Sequence, residues 1–330
     1  MTEKERVIKS IKHIRPDKLP YQLDLTDQVF QRLREYYDDP GFFEKTGSCL
    51  AQERNESFRD VSDTEFYDMF GALWSKVYDG DFGIVVNRVF ESAEIGDYVF
   101  PKPDEKLIRE KCERLLAQPD KFTMYIIGFS LFERAWTLRG FNEILMDFLL
   151  EKKFANDLLD RIVDYNLKVV DIVSEYDIDC IFFGDDWGQQ KGLIMGPDLW
   201  REFIRPRLKR QYDHVKGKGM YVAQHSCGDI REVFSDLVDI GMDIYNTFQP
   251  EIFDVREMKR EYGQNVVFYG GISTQRLLPF GSPEVVRDET KKIMDICGVN
   301  GGYIAAPTHA IPNDVPTENI LAFLDVVQNQ

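Results

Sequence analysis

From residue 122 onward, short apolar runs alternate with longer stretches whose apolar positions recur every three or four residues. The short runs read as buried strands, and the longer stretches as helices packed on one face. The strands are expected at 122–127, at 178–183, over Tyr221 to His225, at 244–248, at 266–269 and at 302–306. Between them the pattern predicts a helical region from about Leu131 to Glu175, interrupted near Gly140. A helix with Pro197 in its first turn runs to about Lys216, and others cover 229–240, follow Asp254, follow Ser282, and span 317–327.

The first part of the chain is patterned differently. Ile8, Ile11 and Ile14 space helically, and Thr26 to Tyr37 is amphipathic, so residues 1–48 predict helices around a loop. Ser62 and Glu65 have capping-box spacing and predict a helix to about Tyr78. Ile84-Val85-Val86 reads as the first strand, and Asp104 as the cap of a helix reaching about Ala117.

Strands that alternate with helices imply a parallel sheet with right-handed crossovers. With seven or eight such units and no long linker, the fold class expected is α/β. Its form is a (β/α)8 TIM barrel with an N-terminal helical extension, a single domain over residues 1–330. No Gly-x-Gly-x-x-Gly or Walker pattern follows the first strand, which weakens a nucleotide-binding reading. A formal net charge of -16 argues against a nucleic-acid partner, since phosphate contacts need clustered Lys and Arg. No apolar run approaches the roughly 18 residues of a membrane span, and the charged N-terminus is unlike a signal peptide. Five cysteines, an odd and scattered set, suit free thiols in a reducing cytoplasm.

In such a barrel, chemistry gathers at the C-terminal strand ends. Residues i and i+2 on a strand share a face, so His225 and Cys227 project together where Gly228 ends the run. An imidazole and a thiolate side by side form half of a zinc site. His309 follows the last strand, which neighbours the first in a closed barrel, and can supply a third ligand with the fourth position open. His13 and His214 fall in helical stretches and read as solvated. Glu133, Asp185, Asp186, Gln189, Asn246 and Gln249 also fall at strand ends. Each has a bland alternative: Glu133 as a helix cap, the aspartates as caps or ion-pair partners, Cys227 as a small buried hydrophobe.

These residues carry a family resemblance. The chain resembles the uroporphyrinogen decarboxylase superfamily, in the branch of zinc-dependent corrinoid methyltransferases. The likeness lies in His225-x-Cys227-Gly228, Gly184-Asp185-Asp186-Trp187-Gly188, Met195-Gly196-Pro197, Phe132-Glu133-Arg134-Ala135-Trp136, Tyr269-Gly270-Gly271-Ile272 and Ala306-Pro307-Thr308-His309. It implies a (β/α)8 barrel and methyl transfer to or from the cobalt of a corrinoid carried on a partner protein. Relatives usually place a cysteine where this chain has His309. Two imidazoles and one thiolate leave zinc more positive than two thiolates and one imidazole would, which favours an oxygen-bearing methyl donor such as an aryl methyl ether or an alcohol.

The expected metal ligands are therefore His225, Cys227 and His309, with Glu133, Asp185 and Asp186 as catalytic candidates. Gln189, Asn246, Gln249 and Trp187 are the substrate-binding candidates. The expected cofactors are Zn2+ and a corrinoid, and the expected partners a corrinoid protein and a small methylated substrate. Two rivals remain. One is a methyl-corrinoid transferase to a thiol or folate; the other is a metal-free decarboxylase-like tetrapyrrole enzyme, which would leave His225 and Cys227 idle and lacks its arginine-rich opening loop here.

Overall fold

A computed structural model of the chain describes residues 1–77 and 83–330. Its centre is a seven-stranded parallel sheet. The strands are β1 (Leu50–Arg54), β6 (Phe122–Ile127), β7 (Cys180–Gly184), β10 (Tyr221–His225), β11 (Ile244–Asn246), β12 (Val267–Ile272) and β13 (Tyr303–Pro307), in that spatial order. A four-stranded antiparallel sheet, β2 (Phe58–Asp60), β3 (Glu65–Asp68), β4 (Leu73–Ser75) and β5 (Ile84–Val85), is inserted after β1. A small hairpin, β8 (Gly188–Gln189) and β9 (Gly192–Leu193), follows β7.

The gap between β13 and β1 is filled by an extended segment near residues 20–25. The Gln22 amide donates to the Ala305 carbonyl, the Ala305 amide to Pro20, and the Cys49 amide to Tyr21. This segment takes the eighth position of the barrel without forming a regular strand.

Alternation along the strands divides the apolar residues into two sets. Leu50, Met124, Ile126, Phe182, Ile244, Val267 and Ile304 fill the barrel interior. A larger set packs the outside of the sheet against the helices, with Phe183, Val222 and Phe268 from the strands and Leu158, Ile162 and Leu208 from the helices.

The expected α/β barrel is present, and so are most of its helices. Phe132–Arg139, Phe141–Leu150 and Lys152–Val173 make up the helical region broken at Gly140, where φ is +104°. Asp104, Asp254 and Ser282 cap their helices, as their spacing predicts. Glu3–Ile11 and Asp27–Tyr37 form the N-terminal helices.

Two expectations fail. No helix starts at Ser62. Its hydroxyl does accept the Glu65 amide, but the turn feeds strand β3, and the expected helix end, Tyr78, lies outside the described residues. Local capping chemistry is common to helix starts and tight turns, and here the pairing of β3 with β2 and β4 wins. The first barrel strand is also not Ile84-Val85, which edges the antiparallel sheet, but Leu50–Arg54. Among the described residues, no helix is long and apolar enough to cross a membrane.

Candidate metal centre

His225 ends β10 and Cys227 follows two residues later, so both project from the C-terminal end of the barrel. His309 comes from the loop after β13. The three potential ligand atoms all lie within 4.8 Å of one another. The Cys227 Sγ stands 3.5 Å from His225 Nε2. Zinc–sulfur and zinc–nitrogen bonds of about 2.3 and 2.1 Å at a tetrahedral angle place such atoms about 3.6 Å apart. The rings of His225 and His309 meet edge to face, with centroids 5.9 Å apart.

The neighbours hold this geometry. Asn246 donates its Nδ2 to the Tyr269 carbonyl, at 3.1 Å, which turns its Oδ1 toward His225 Nδ1 at 2.6 Å. An oxygen at that distance makes Nδ1 the donor and leaves the Nε2 lone pair aimed at Cys227 and His309. The Cys227 amide donates to Asp186 Oδ1, and the Gly228 amide to Gln249 Oε1. Gly228 sits at φ +79°, and a Cβ on it would come within 2.3 Å of the Gly188 backbone, so the turn after Cys227 requires glycine.

The electrostatics suit a cation. Burial pushes the Cys227 thiol well above its usual pKa, and the carboxylates of Asp186 and Glu133 push it further. Burial and the neighbouring His225 hold His309 below the usual histidine value, although it is the most exposed of the three. Glu133 lies well above the ordinary glutamate range, first through burial and then through Asp186 and Asp185. A divalent ion would reverse the thiol's preference and relieve the acidic crowding. One thiolate and two imidazoles are ligand types that a transition-metal ion such as zinc takes.

The other candidates divide. Asp186 is half-buried, with Oδ1 3.5 Å from His225 Nε2. Asp185 is fully buried and accepts from the amides of Leu131, Phe132 and Glu133 and from Trp187 Nε1. It anchors the start of the Phe132–Arg139 helix, while burial raises its pKa to about 7. Trp187 packs edge-on against Trp200 and is fully buried, so the pocket-lining role expected of it is corrected to a core one. Asn246 and Gln249 are likewise committed to His225 and Gly228 rather than turned to a ligand. Gln189 is exposed on β8, and its carbonyl accepts the Asp229 amide. Cys49, Cys112, Cys180 and Cys297 are buried free thiols. His214 pairs with Asp171, while His13 follows the first helix with Nδ1 buried and unpaired.

Sequence reasoning passed over the wall that faces the trio. Asp24 reaches the barrel mouth from the closing segment, and its Oδ2 accepts from the Tyr269 hydroxyl at 2.6 Å. Gln52 Nε2 lies 3.4 Å from the same hydroxyl, and Arg54 follows two residues later on β1.

A family model described as uroporphyrinogen decarboxylase (URO-D) matches residues 79–330. The chain belongs to the uroporphyrinogen decarboxylase family. Curated relatives match at low identity. The uroporphyrinogen decarboxylase of Psychromonas ingrahamii is 23% identical over 254 residues, covering 71% of this chain and 67% of that protein. That of Methylococcus capsulatus is 21% identical over 255 residues, covering 73% and 70%. Among solved structures, a methyltransferase from Methanosarcina mazei superposes with a TM-score of 0.77 over 100% of this chain and 99% of its own, at 16% identity. At that identity the likeness shows a shared fold.

Proposed function

We propose that this family member is a zinc-dependent methyltransferase that moves a methyl group from an oxygen donor to the cobalt(I) of a corrinoid carried on a partner protein. The observation that carries the reading is the grouping of His225, Cys227 and His309 within 4.8 Å, with Asn246 setting the imidazole's lone pair. A tetrapyrrole decarboxylase, the activity in the names of the curated relatives, has no use for such a trio.

His225, Cys227 and His309 would hold the ion, which when bound supplies Lewis acidity toward a donor oxygen. With one thiolate against two neutral imidazoles, the centre keeps a net positive charge, which suits an ether oxygen better than a thiol acceptor. In the transfer the methyl–oxygen bond breaks, the oxygen keeps the electron pair, and the cobalt–carbon bond forms with cobalt's pair. The leaving oxygen then needs a proton. Glu133, whose pKa burial and its acidic neighbours raise in the metal-free protein, is the donor in this scheme. Asp186 fixes the Cys227 amide, and Asp185 fixes the helix start that carries Glu133.

The test is zinc content by elemental analysis, with methyl transfer from methoxylated aromatics to cobalt(I) corrinoid followed by absorbance. About one zinc per chain, lost in both Cys227→Ser and His309→Ala while circular dichroism is unchanged, is the expected result. Loss in Cys227→Ser alone would remove the case for an oxygen donor. No zinc after reconstitution would overturn the reading.

A further inference from the structure

The three ligands of the candidate centre are supported unequally. His225 and Cys227 belong to one strand end, and side chains from neighbouring strand ends hold them. His309 is exposed and rides on a loop that runs from the end of β13 to the helix Thr317–Gln328. Its ring hydrogen-bonds the backbone of Ala310, the next residue, so the ring turns with the peptide beside it.

What holds that peptide comes largely from the other end of the chain. Before His309, the Thr308 hydroxyl pairs with that of Thr274 at 2.9 Å, and its amide donates to the Ile272 carbonyl, so β12 fixes where the loop leaves the sheet. After His309, the Ile311 amide donates to the Asp24 carbonyl at 2.8 Å. The Ile311 carbonyl accepts from the Thr26 amide at 3.3 Å and the Thr26 hydroxyl at 3.0 Å. Arg32, on the Asp27–Tyr37 helix, completes the clamp. One of its Nη atoms donates to the Asn313 carbonyl at 2.9 Å and lies 3.4 Å from that residue's Oδ1; the other donates to the Val315 carbonyl at 2.6 Å.

Among the described residues no carboxylate pairs with Arg32, so its hydrogen bonding is spent on this one loop. A guanidinium suits the task, because its donors lie in a rigid plane and can bridge two carbonyls at once. The segment it grips is itself stiff. The Val315 amide closes a turn on the Pro312 carbonyl, and Pro312 and Pro316 each have a fixed φ. A shift of that turn therefore passes to Ile311 and Ala310, and with them to the His309 ring.

We infer that Arg32, assisted by Thr26, is a positioning residue for His309, so that the N-terminal helix delivers the third ligand to the metal centre. The inference rests on the zinc site of the methyltransferase reading and adds what sets its geometry. Arg32 touches neither ion nor substrate and acts through the loop alone. Two ligands are preset by the barrel, and the third depends on a hold that can be weakened without disturbing the other two.

The experiment measures zinc affinity of the full chain by competition with a chelator, in Arg32→Gln, Arg32→Lys and Thr26→Val, each alone and combined with His309→Ala. The weaker two-ligand sites are titrated directly with added zinc. Arg32→Gln should weaken binding about tenfold and Thr26→Val about threefold, and Arg32→Lys should recover part of the loss. In the His309→Ala background the same substitutions should change nothing further, because a positioning residue has no effect once its ligand is gone. An arginine that only supports the fold would weaken zinc by the same factor in both backgrounds, and that result would overturn the inference. So would an affinity untouched by Arg32→Gln. Should Arg32→Gln fail to fold, the Thr26→Val pair decides by the same comparison.

The two readings fail separately. Zinc that depends on Arg32, with no methyl transfer from any donor, would keep the clamp and remove the methyltransferase. Methyl transfer with zinc indifferent to Arg32 would do the reverse, and a parent chain that binds no zinc would remove both.

Discussion

The two walls of the barrel mouth organise their polar groups by opposite means. On the β10–β13 side, each group sits at or just beyond a strand end and is tied by bonds between adjacent strand ends: Asn246 to His225, Asp186 to the Cys227 amide, Gln249 to Gly228. On the β1 side, Asp24 and Gln52 come from two separate segments and meet through one phenol on β12, while Arg54 pairs with Glu56. His225, Cys227 and Asp186 on the first wall are half-buried and His309 is exposed, while Arg54 is more than half exposed. An ion needs its ligands placed to within a few tenths of an ångström, whereas an exposed charged arm keeps its freedom to move.

If the walls are independent, damage to one should spare the other. The largest expected effect is in the antiparallel sheet inserted after β1. Asp68 accepts from the amides of Phe70 and Ala72 and from Trp74 Nε1, and pairs with Arg134, whose guanidinium lies 4.4 Å from the Phe70 ring centre. Both partners are buried, so Asp68→Ala should cost about 3–5 kcal/mol by urea denaturation. Zinc content should stay near that of the parent; joint loss of zinc would break the separation.

Asn246→Ala attacks the opposite wall. Removing the partner that fixes His225's tautomer should weaken zinc binding about 10–100-fold in a competition with chelator. A zinc affinity unchanged in this variant would mean that the ring needs no orienting partner.

A smaller effect concerns pH. Glu133 has its pKa raised by burial and by Asp186 and Asp185. Below its unfolded value of about 4.3 the native protein holds the preferred protonated form, and stability is lost as pH rises toward the folded pKa. Glu133→Gln should therefore stabilise the metal-free protein at pH 7, and flatten its stability between about pH 5 and 7. A steeper decline with pH in the variant would reverse that sign. Asp104→Ala, far from either wall, should cost only about 1 kcal/mol for a lost helix cap. A larger loss there would show that the helix after it carries the β1 wall through Lys111.

The uneven legibility of the two walls has a physical origin. His225-x-Cys227-Gly228 can be read because a ligand pair, a strand period and a chain break coincide within four residues. His309 needed only the closure of the barrel. Gln52 and Arg54 could not be found the same way: Leu-Ala-Gln-Glu-Arg has polar residues on both faces and gives no apolar alternation. Asp24 lies in a segment with no regular pairing, between two helices, where nothing local shows that Gln22 and Asp24 share the barrel's inner side. Trp187 shows the converse, since its strand-end position suggested a ligand contact and its side chain is fully buried, while Asp185 takes the capping role weighed for it.

The closing segment also sets an order of events for the growing chain. Ser10 exchanges hydrogen bonds with Tyr303, 293 residues away, and Gln22 bonds to Ala305 beside it. Nothing emerging earlier from the ribosome can substitute for β13, so the edge of β12 and the outer edge of the closing segment stay unpaired until β13 is made. Contacts of such span form slowly and leave strand edges open to strangers meanwhile. Refolding of the intact chain should accordingly show its slowest phase in probes that join these two ends, and chaperones should matter most in the interval before they meet.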